Sequence, residues 1–181
     1  DHPQAYANQI HLFGQKRGSG ESIWDIKEKI GMISPELHWY FDMNANVGQT
    51  IASGFFDSMS LYQKLSFDQQ KQLEQILYFF DLKDDKNKKL STLPLGKQRL
   101  ALLARTLIKK PKLLILDEPC QGMDNEQTQY FNQVIDDLAN QGQSLVYVGH
   151  FESQLPKKLS HKLVLENGIM KIKIKIKESV I

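Results

Sequence analysis

The rhythm of apolar and polar positions changes along this chain. Leu113-Leu114-Ile115-Leu116 is an unbroken apolar run that stops at Asp117-Glu118-Pro119. A short run that is apolar on both faces predicts a buried parallel strand. After it, Phe131, Val134, Ile135 and Leu138 recur at helical spacing over Asn125 to Asn140, and Gly142 follows as a C-terminal cap. Leu145-Val146-Tyr147-Val148 is a second buried-type strand, ending at Gly149-His150. Strand, helix and strand in this order predict a right-handed crossover and a parallel sheet.

Upstream, a short strand is expected around Gln9 to Phe13, followed by a Gly-rich basic turn from Gly14 to Gly20. Ile23, Ile26 and Ile30 mark a short helix over Ser22 to Lys29, and Ile30 to Ser34 reads as a strand stopped by Pro35. Residues 39 to about 110 read as mostly helical. There Ser66 and Gln69 form a capping box, and Leu73, Ile76, Leu77 and Phe80 share one helix face. Lys83 to Lys89 is a charge run, expected to be a solvated connection. Gln98 to Lys109 is a further helix, ended by Pro111. Residues 162–166 and 171–177 predict a terminal hairpin around Asn167-Gly168. The strict Lys-Ile alternation from Lys171 to Lys177 suits an edge strand guarded by lysines.

Composition narrows the function classes. Among 181 residues, 23 Lys and Arg face 21 Asp and Glu, a net charge of +2. That balance gives no electrostatic case for a nucleic-acid partner. Hydrophobic residues make up 41% and charged residues 24%, which describes a globular chain rather than a disordered one. The one cysteine, Cys120, excludes an internal disulfide and favours a reducing compartment. Apolar runs reach only about five residues, far short of a membrane span. Asp1-His2-Pro3-Gln4 shows no signal-peptide pattern. Because the chain does not open with Met, it is expected to be part of a longer protein.

The sharpest chemical signal is the strand that ends in Asp117-Glu118. Ligands bind at the carboxyl edge of open α/β sheets. A first carboxylate there can hold Mg²⁺, directly or through water. A second one, turned the other way along the pleat, can orient or deprotonate a water. An isolated Asp-Glu pair more often marks a helix cap, but this whole heptapeptide favours chemistry.

Leu116-Asp117-Glu118-Pro119 with Gly122-Met123-Asp124 resembles the Walker B motif and D-loop of ATP-binding cassette (ABC) ATPases. Leu145 to His150 resembles the family's switch-histidine strand. The stretch Leu93 to Leu107, with Gly96, Gln98, Arg99, Ala104 and Arg105, resembles its signature motif and the helix behind it. Phe13-Gly14, Arg17 to Lys27 and Ser34-Pro35-Glu36-Leu37-His38 resemble a tandem-cassette subgroup linked to molybdenum transport and photorepair. The resemblance implies a RecA-like P-loop NTPase lobe, α/β with a mainly parallel sheet and an inserted helical subdomain. Residues 1–38 would be the lobe up to the Q-loop position, 39–110 the helical subdomain and 111–181 the lobe with Walker B, D-loop and switch histidine. It implies ATP and Mg²⁺ as ligands, with Asp117 in the metal shell, Glu118 polarising the attacking water and His150 on the γ-phosphate. Asp124 would sit at the seam with a second cassette. A membrane permease is the implied further partner, and the inner face of the membrane the implied site of work, without insertion of this chain.

The pattern also departs from the family. No P-loop is present; Gly18-Ser19-Gly20-Glu21-Ser22 carries Glu21 where a Lys is required. The P-loop is therefore expected before Asp1, and the chain by itself is expected to be inactive and to bind ATP negligibly. The signature motif reads Leu93-Pro94-Leu95-Gly96-Lys97. Its Ser hydroxyl and first Gly are replaced; Gly96 keeps its place as a phosphate donor, and Lys97 offers a positive charge. Pro35 stands at the Q-loop position, with Glu36 beside it as a substitute contact to metal or water. Two readings follow: a hydrolysing half-site tied to molybdate transport, or a degenerate cassette that binds nucleotide and dimerises with little hydrolysis, as a regulatory or structural partner.

Overall fold

A computed structural model describes residues 9–20, 22–38 and 40–175. Its elements begin with a small antiparallel pair, β1 (His11–Leu12) and β2 (Gln15–Lys16), joined through Phe13 and Gly14, both at positive φ. The segment expected to be one long turn thus contains a strand, because this tight reversal pairs Gln15 and Lys16 back onto the chain before them. Glu21 and the stretch 1–4, both named above, lie outside the described residues. Helix α1 (Ile23–Glu28) is closed at its start by a reciprocal Ser22–Asp25 capping box. Strand β3 (Ile30–Ile33) runs directly into α2 (Pro35–His38), where the ring of Pro35 suits a first helical position.

The helical stretch comprises α3 (Val47–Ala52), α4 (Phe67–Phe79) and α5 (Leu95–Leu107), linked by short 3₁₀ turns. The Ser66–Gln69 box caps α4 in both directions, at 2.9 and 3.2 Å. Leu73, Leu77 and Phe80 are buried against Val47, Ile51, Leu100, Leu103 and Ala104. The charge run between α4 and α5 is not simply solvated. Asp85 is 4% exposed and accepts from Lys88 and Lys97, each at 2.6 Å. A charge run looks uniform in sequence, yet the 3₁₀ turn over Lys83–Asp85 folds one of its carboxylates inward.

Strand β4 (Leu113–Asp117), helix α6 (Asn125–Asn140) and strand β5 (Ser144–Val148) complete a three-stranded parallel sheet in the order β3-β4-β5. Register places Ile33, Leu116 and Tyr147 side by side, and Met32, Ile115 and Val146 in the next row. The first row faces the core, where Leu114 and Leu116 are fully buried with Phe131 and Ile135 of α6. The other face is open among the described residues: Met32, Val146 and Val148 are 48%, 47% and 44% exposed. The expectation of a strand covered on both sides therefore holds for one side only. Beyond the sheet, β6 (His161–Glu166) and β7 (Ile169–Lys175) form the terminal hairpin. Its turn, Asn167-Gly168, has positive φ at both residues, as a two-residue hairpin requires. Ile176 and Lys177 of the alternating run lie outside the described residues.

Candidate functional site at the strand ends

Three parallel strands end on one rim. Each is followed at once by a polar group: β3 by Ser34-Pro35-Glu36, β4 by Glu118 and β5 by Gly149-His150. Asp117, the last residue of β4, is in register with Val148 and stands on the open row of the sheet. Glu118 leaves the strand abruptly. Its φ is +44°, a left-handed conformation that costs a non-glycine residue about 1–2 kcal/mol. Its amide still donates to the Val148 carbonyl at 3.0 Å, which holds the strained residue against β5. The carboxylate then meets His150: Oε1 lies 2.7 Å from Nε2. His150 is 71% and Glu118 29% side-chain exposed, so this pair faces solvent at the rim and is open to a ligand.

The chain turns tightly after Glu118, with Gln121 N donating to the Glu118 carbonyl and Met123 N to the Cys120 carbonyl. That turn delivers Asp124 as N-cap of α6, its Oδ1 accepting from Gln127 N at 2.8 Å. Asp117 is therefore not the helix cap; Asp124 is. Cys120 faces a small polar network in which Tyr147 Oη is 3.4 Å from its Sγ and donates to Asn132 Oδ1 at 3.2 Å. Asn132 Nδ2 in turn donates to the Gln154 carbonyl at 2.7 Å, pinning the chain that follows His150. Burial pushes the Tyr147 hydroxyl strongly upward, aided by its contact with Cys120, so it stays a donor at all ordinary pH.

The other expected site residues, Glu36, Lys97 and Gly96, have partners of their own. Glu36 is exposed; the Ser34 hydroxyl and its own backbone N–H hold its carboxyl below the usual range, with Arg99 adding to the effect. Lys97 does not project from the signature segment as a free cation. Its Nζ is bound to the buried Asp85 carboxylate, and that hydrogen bond holds the ammonium above its ordinary range. Gly96 is the second residue of α5, and its amide donates to Gln127 Oε1 at 3.0 Å.

Two functional candidates were not visible as such in sequence. Gln127 carried no motif signal. Arg99 was quoted only within the signature segment, yet it is 5% exposed, with Nε and Nη1 lacking a hydrogen-bond partner among the described residues. Burial lowers its guanidinium from the usual range, against the attraction of Cys120 and Glu36.

Asp117, at the end of β4, is a carboxylate on the rim that could take part in holding a metal ion. Among the described residues no group of three or more His, Cys, Asp and Glu side chains is placed to hold a metal. Among the described residues no helix is long and apolar enough to cross a membrane.

Comparison with known proteins gives the family of the chain. The chain is 43% identical over 165 residues to the ABC transporter ATP-binding protein ModF of Escherichia coli, covering 90% of this chain and 34% of that protein. It is 34% identical over 170 residues to an uncharacterized ABC transporter ATP-binding protein of Schizosaccharomyces pombe, covering 93% and 35%. It is 30% identical over 132 residues to the zinc uptake system ATP-binding protein ZurA of Listeria monocytogenes, covering 71% and 49%. The chain thus spans about a third to a half of the length of these relatives. Among solved structures, cbiO1 from Clostridium perfringens, part of the ABC transporter complex cbiONQ, superposes with a TM-score of 0.77 at 22% identity, covering 91% of this chain and 64% of that one. The ATP-binding cassette MJ0796, a dimer in a post-hydrolysis state bound to ADP and Pi, superposes with a TM-score of 0.72 at 17% identity, covering 93% and 73%. The fold is that of an ABC ATPase cassette, α/β with a parallel sheet. The profile of the ABC transporter family matches residues 2–121, most of the length, and the chain belongs to that family.

Proposed function

We infer that this chain supplies the water-activating half of an ATP-hydrolysing site. The observation that carries the reading is the 2.7 Å contact between Glu118 and His150 at the carboxyl edge of the sheet. A carboxylate there can take the proton of a water as its oxygen attacks the γ-phosphorus, while the bond to the bridging oxygen breaks. The imidazole beside it fixes the carboxylate's direction and would contact the γ-phosphate. Asp117, one residue earlier, would hold Mg²⁺, which neutralises charge on the phosphates when bound. In this reading residues 1–38 and 111–181 form the nucleotide lobe and 39–110 the helical subdomain. Asp124 faces a second cassette, and a permease at the inner face of the membrane receives the motion.

The test is Glu118→Gln in the protein expressed from its complete reading frame. The variant should retain ATP and lose turnover by at least about a hundredfold, the scale of general-base catalysis. Turnover equal to wild type removes Glu118 from the role given to it. The molybdate link rests on the subgroup resemblance; stimulation of turnover by molybdate together with a permease, and not by zinc, is its expected signature.

A second reading has its own support. Pro94 gives α5 no side-chain cap, the Gly96 amide is already bonded within the chain, and Lys97 is bound to Asp85. A partner's phosphate would find these three groups occupied or missing. In that case the cassette binds nucleotide and pairs while hydrolysing slowly. Steady-state turnover of the wild type beside Pro94→Ser separates the two: a slow wild type accelerated by Pro94→Ser supports the second reading, and a fast wild type removes it.

A further inference from the structure

Helix α5 begins with an uncommon problem. The first amides of any helix lack intrahelical acceptors, and a Ser, Thr, Asp or Asn at the N-cap commonly answers one of them. Here the N-cap is Pro94, which has no side-chain acceptor to offer. The acceptor comes from another element, 31 residues further along: Gln127 Oε1 takes the Gly96 N–H at 3.0 Å. The other end of the same amide is also occupied, because Gln127 Nε2 donates to Asp124 Oδ2 at 2.9 Å. Gln127 N donates to Asp124 Oδ1 as well, so the carboxylate and the glutamine form a closed two-bond ring. Packing reinforces the bond. A Cβ on Gly96 would lie 3.0 Å from Gln127 Cγ and 3.1 Å from its Cβ, so any larger residue would press the glutamine back by a few tenths of an ångström.

We propose that Gln127 is an intramolecular latch which occupies the signature-motif amide of Gly96 and the seam carboxylate of Asp124 together, and which must release before either group meets a partner cassette. The inference rests on the proposed composite site, in which Gly96 and Asp124 serve the interface. One side chain thereby links the two. A phosphate or partner group competing for the Gly96 amide must displace a bond that is already made. A typical neutral hydrogen bond, removed, shifts such an equilibrium about three- to tenfold. The latch therefore raises the nucleotide concentration needed to close the site, while leaving the chemistry at Glu118 unchanged.

Gln127→Met is the informative substitution, since it keeps the volume packed on Gly96 and lacks an acceptor. In the 181-residue chain, amide hydrogen exchange at Gly96 should quicken about three- to tenfold, while Leu102 in the middle of α5 keeps its rate. Unchanged Gly96 exchange in Gln127→Met overturns the latch bond. In the protein expressed from its complete reading frame, Gln127→Met should lower the apparent KM for MgATP about three- to tenfold at a kcat within about twofold of wild type. A merely structural residue moves kcat or stability instead. Normal wild-type turnover with an unshifted KM in Gln127→Met overturns the latch alone; a wild type that hydrolyses no ATP, with the exchange result intact, overturns the proposed hydrolytic function.

Discussion

The helical stretch from α3 to α5 and the rim at the ends of β4 and β5 solve opposite problems with the same chain. In the helical stretch Val47, Ile51, Leu77, Leu90 and Leu103 are fully buried, and the buried Asp85 has two cationic partners. At the rim, Glu118 is strained, His150 is exposed, and the apolar row beside Asp117 is open. The difference teaches where the fold keeps its stability and where it keeps its chemistry. The deepest burial and the paired Asp85 carboxylate belong to the helical stretch, while the rim presents an exposed carboxylate–imidazole pair on a left-handed residue.

The largest effect should come from the helical side. Leu103→Ala removes a fully buried side chain from the centre of α5 and should cost about 3–4 kcal/mol in chemical denaturation. A cost near zero would mean that α5 is not the centre of the core. Next, Asp85→Asn should cost about 1–2 kcal/mol, because it leaves Lys97 and Lys88 without their anion. The pH dependence of that loss has a definite sign. Burial acts to raise the Asp85 carboxyl, but the hydrogen bonds and charges of Lys88 and Lys97 outweigh it and hold the carboxyl below its usual range. The folded form thus binds this proton less readily than the unfolded one. Its contribution is present above the ordinary carboxylate range and is lost as pH falls through it. Wild type and Asp85→Asn should therefore converge in stability in acid, and parallel curves down to low pH would remove the assignment.

Ser66→Ala sharpens the comparison at a smaller scale. Loss of the box at the start of α4 should cost about 1 kcal/mol, read as a lower midpoint at unchanged slope. The smallest effect has the opposite sign and belongs to the rim. Glu118→Gly relieves the left-handed strain and should stabilise the fold by about 0.5–1 kcal/mol, after the greater freedom of the unfolded glycine is counted. Any destabilisation by Glu118→Gly would show that Glu118 contributes to the core and break the contrast between the two regions.

What was legible in sequence follows from range. Ser66 with Gln69, Asn167 with Gly168, and the face of α6 are written in neighbours a few residues apart, and each appears where expected. The strands β4 and β5 were legible from their apolar runs, and parallel pairing brought Glu118 next to His150 as their order implied. What stayed hidden depends on distant partners. Asp85 looked like one member of a solvated charge run until Lys97 was folded over it. Gln127 looked like any helix-surface glutamine, since its acceptor role exists only because Gly96 arrives from another helix. The open face of the sheet was hidden too, because Ile115 and Val146 read the same whether or not a neighbour covers them.

The one cysteine has a practical consequence. Burial pushes the Cys120 thiol upward, outweighing the opposite pull of its contact with the Tyr147 hydroxyl, and little thiolate forms at neutral pH. Thiolate is the form that maleimides and iodoacetamide attack. The native fold therefore shields its own cysteine from alkylation, and a reagent that labels it reports the moments when the Tyr147–Asn132 network has opened.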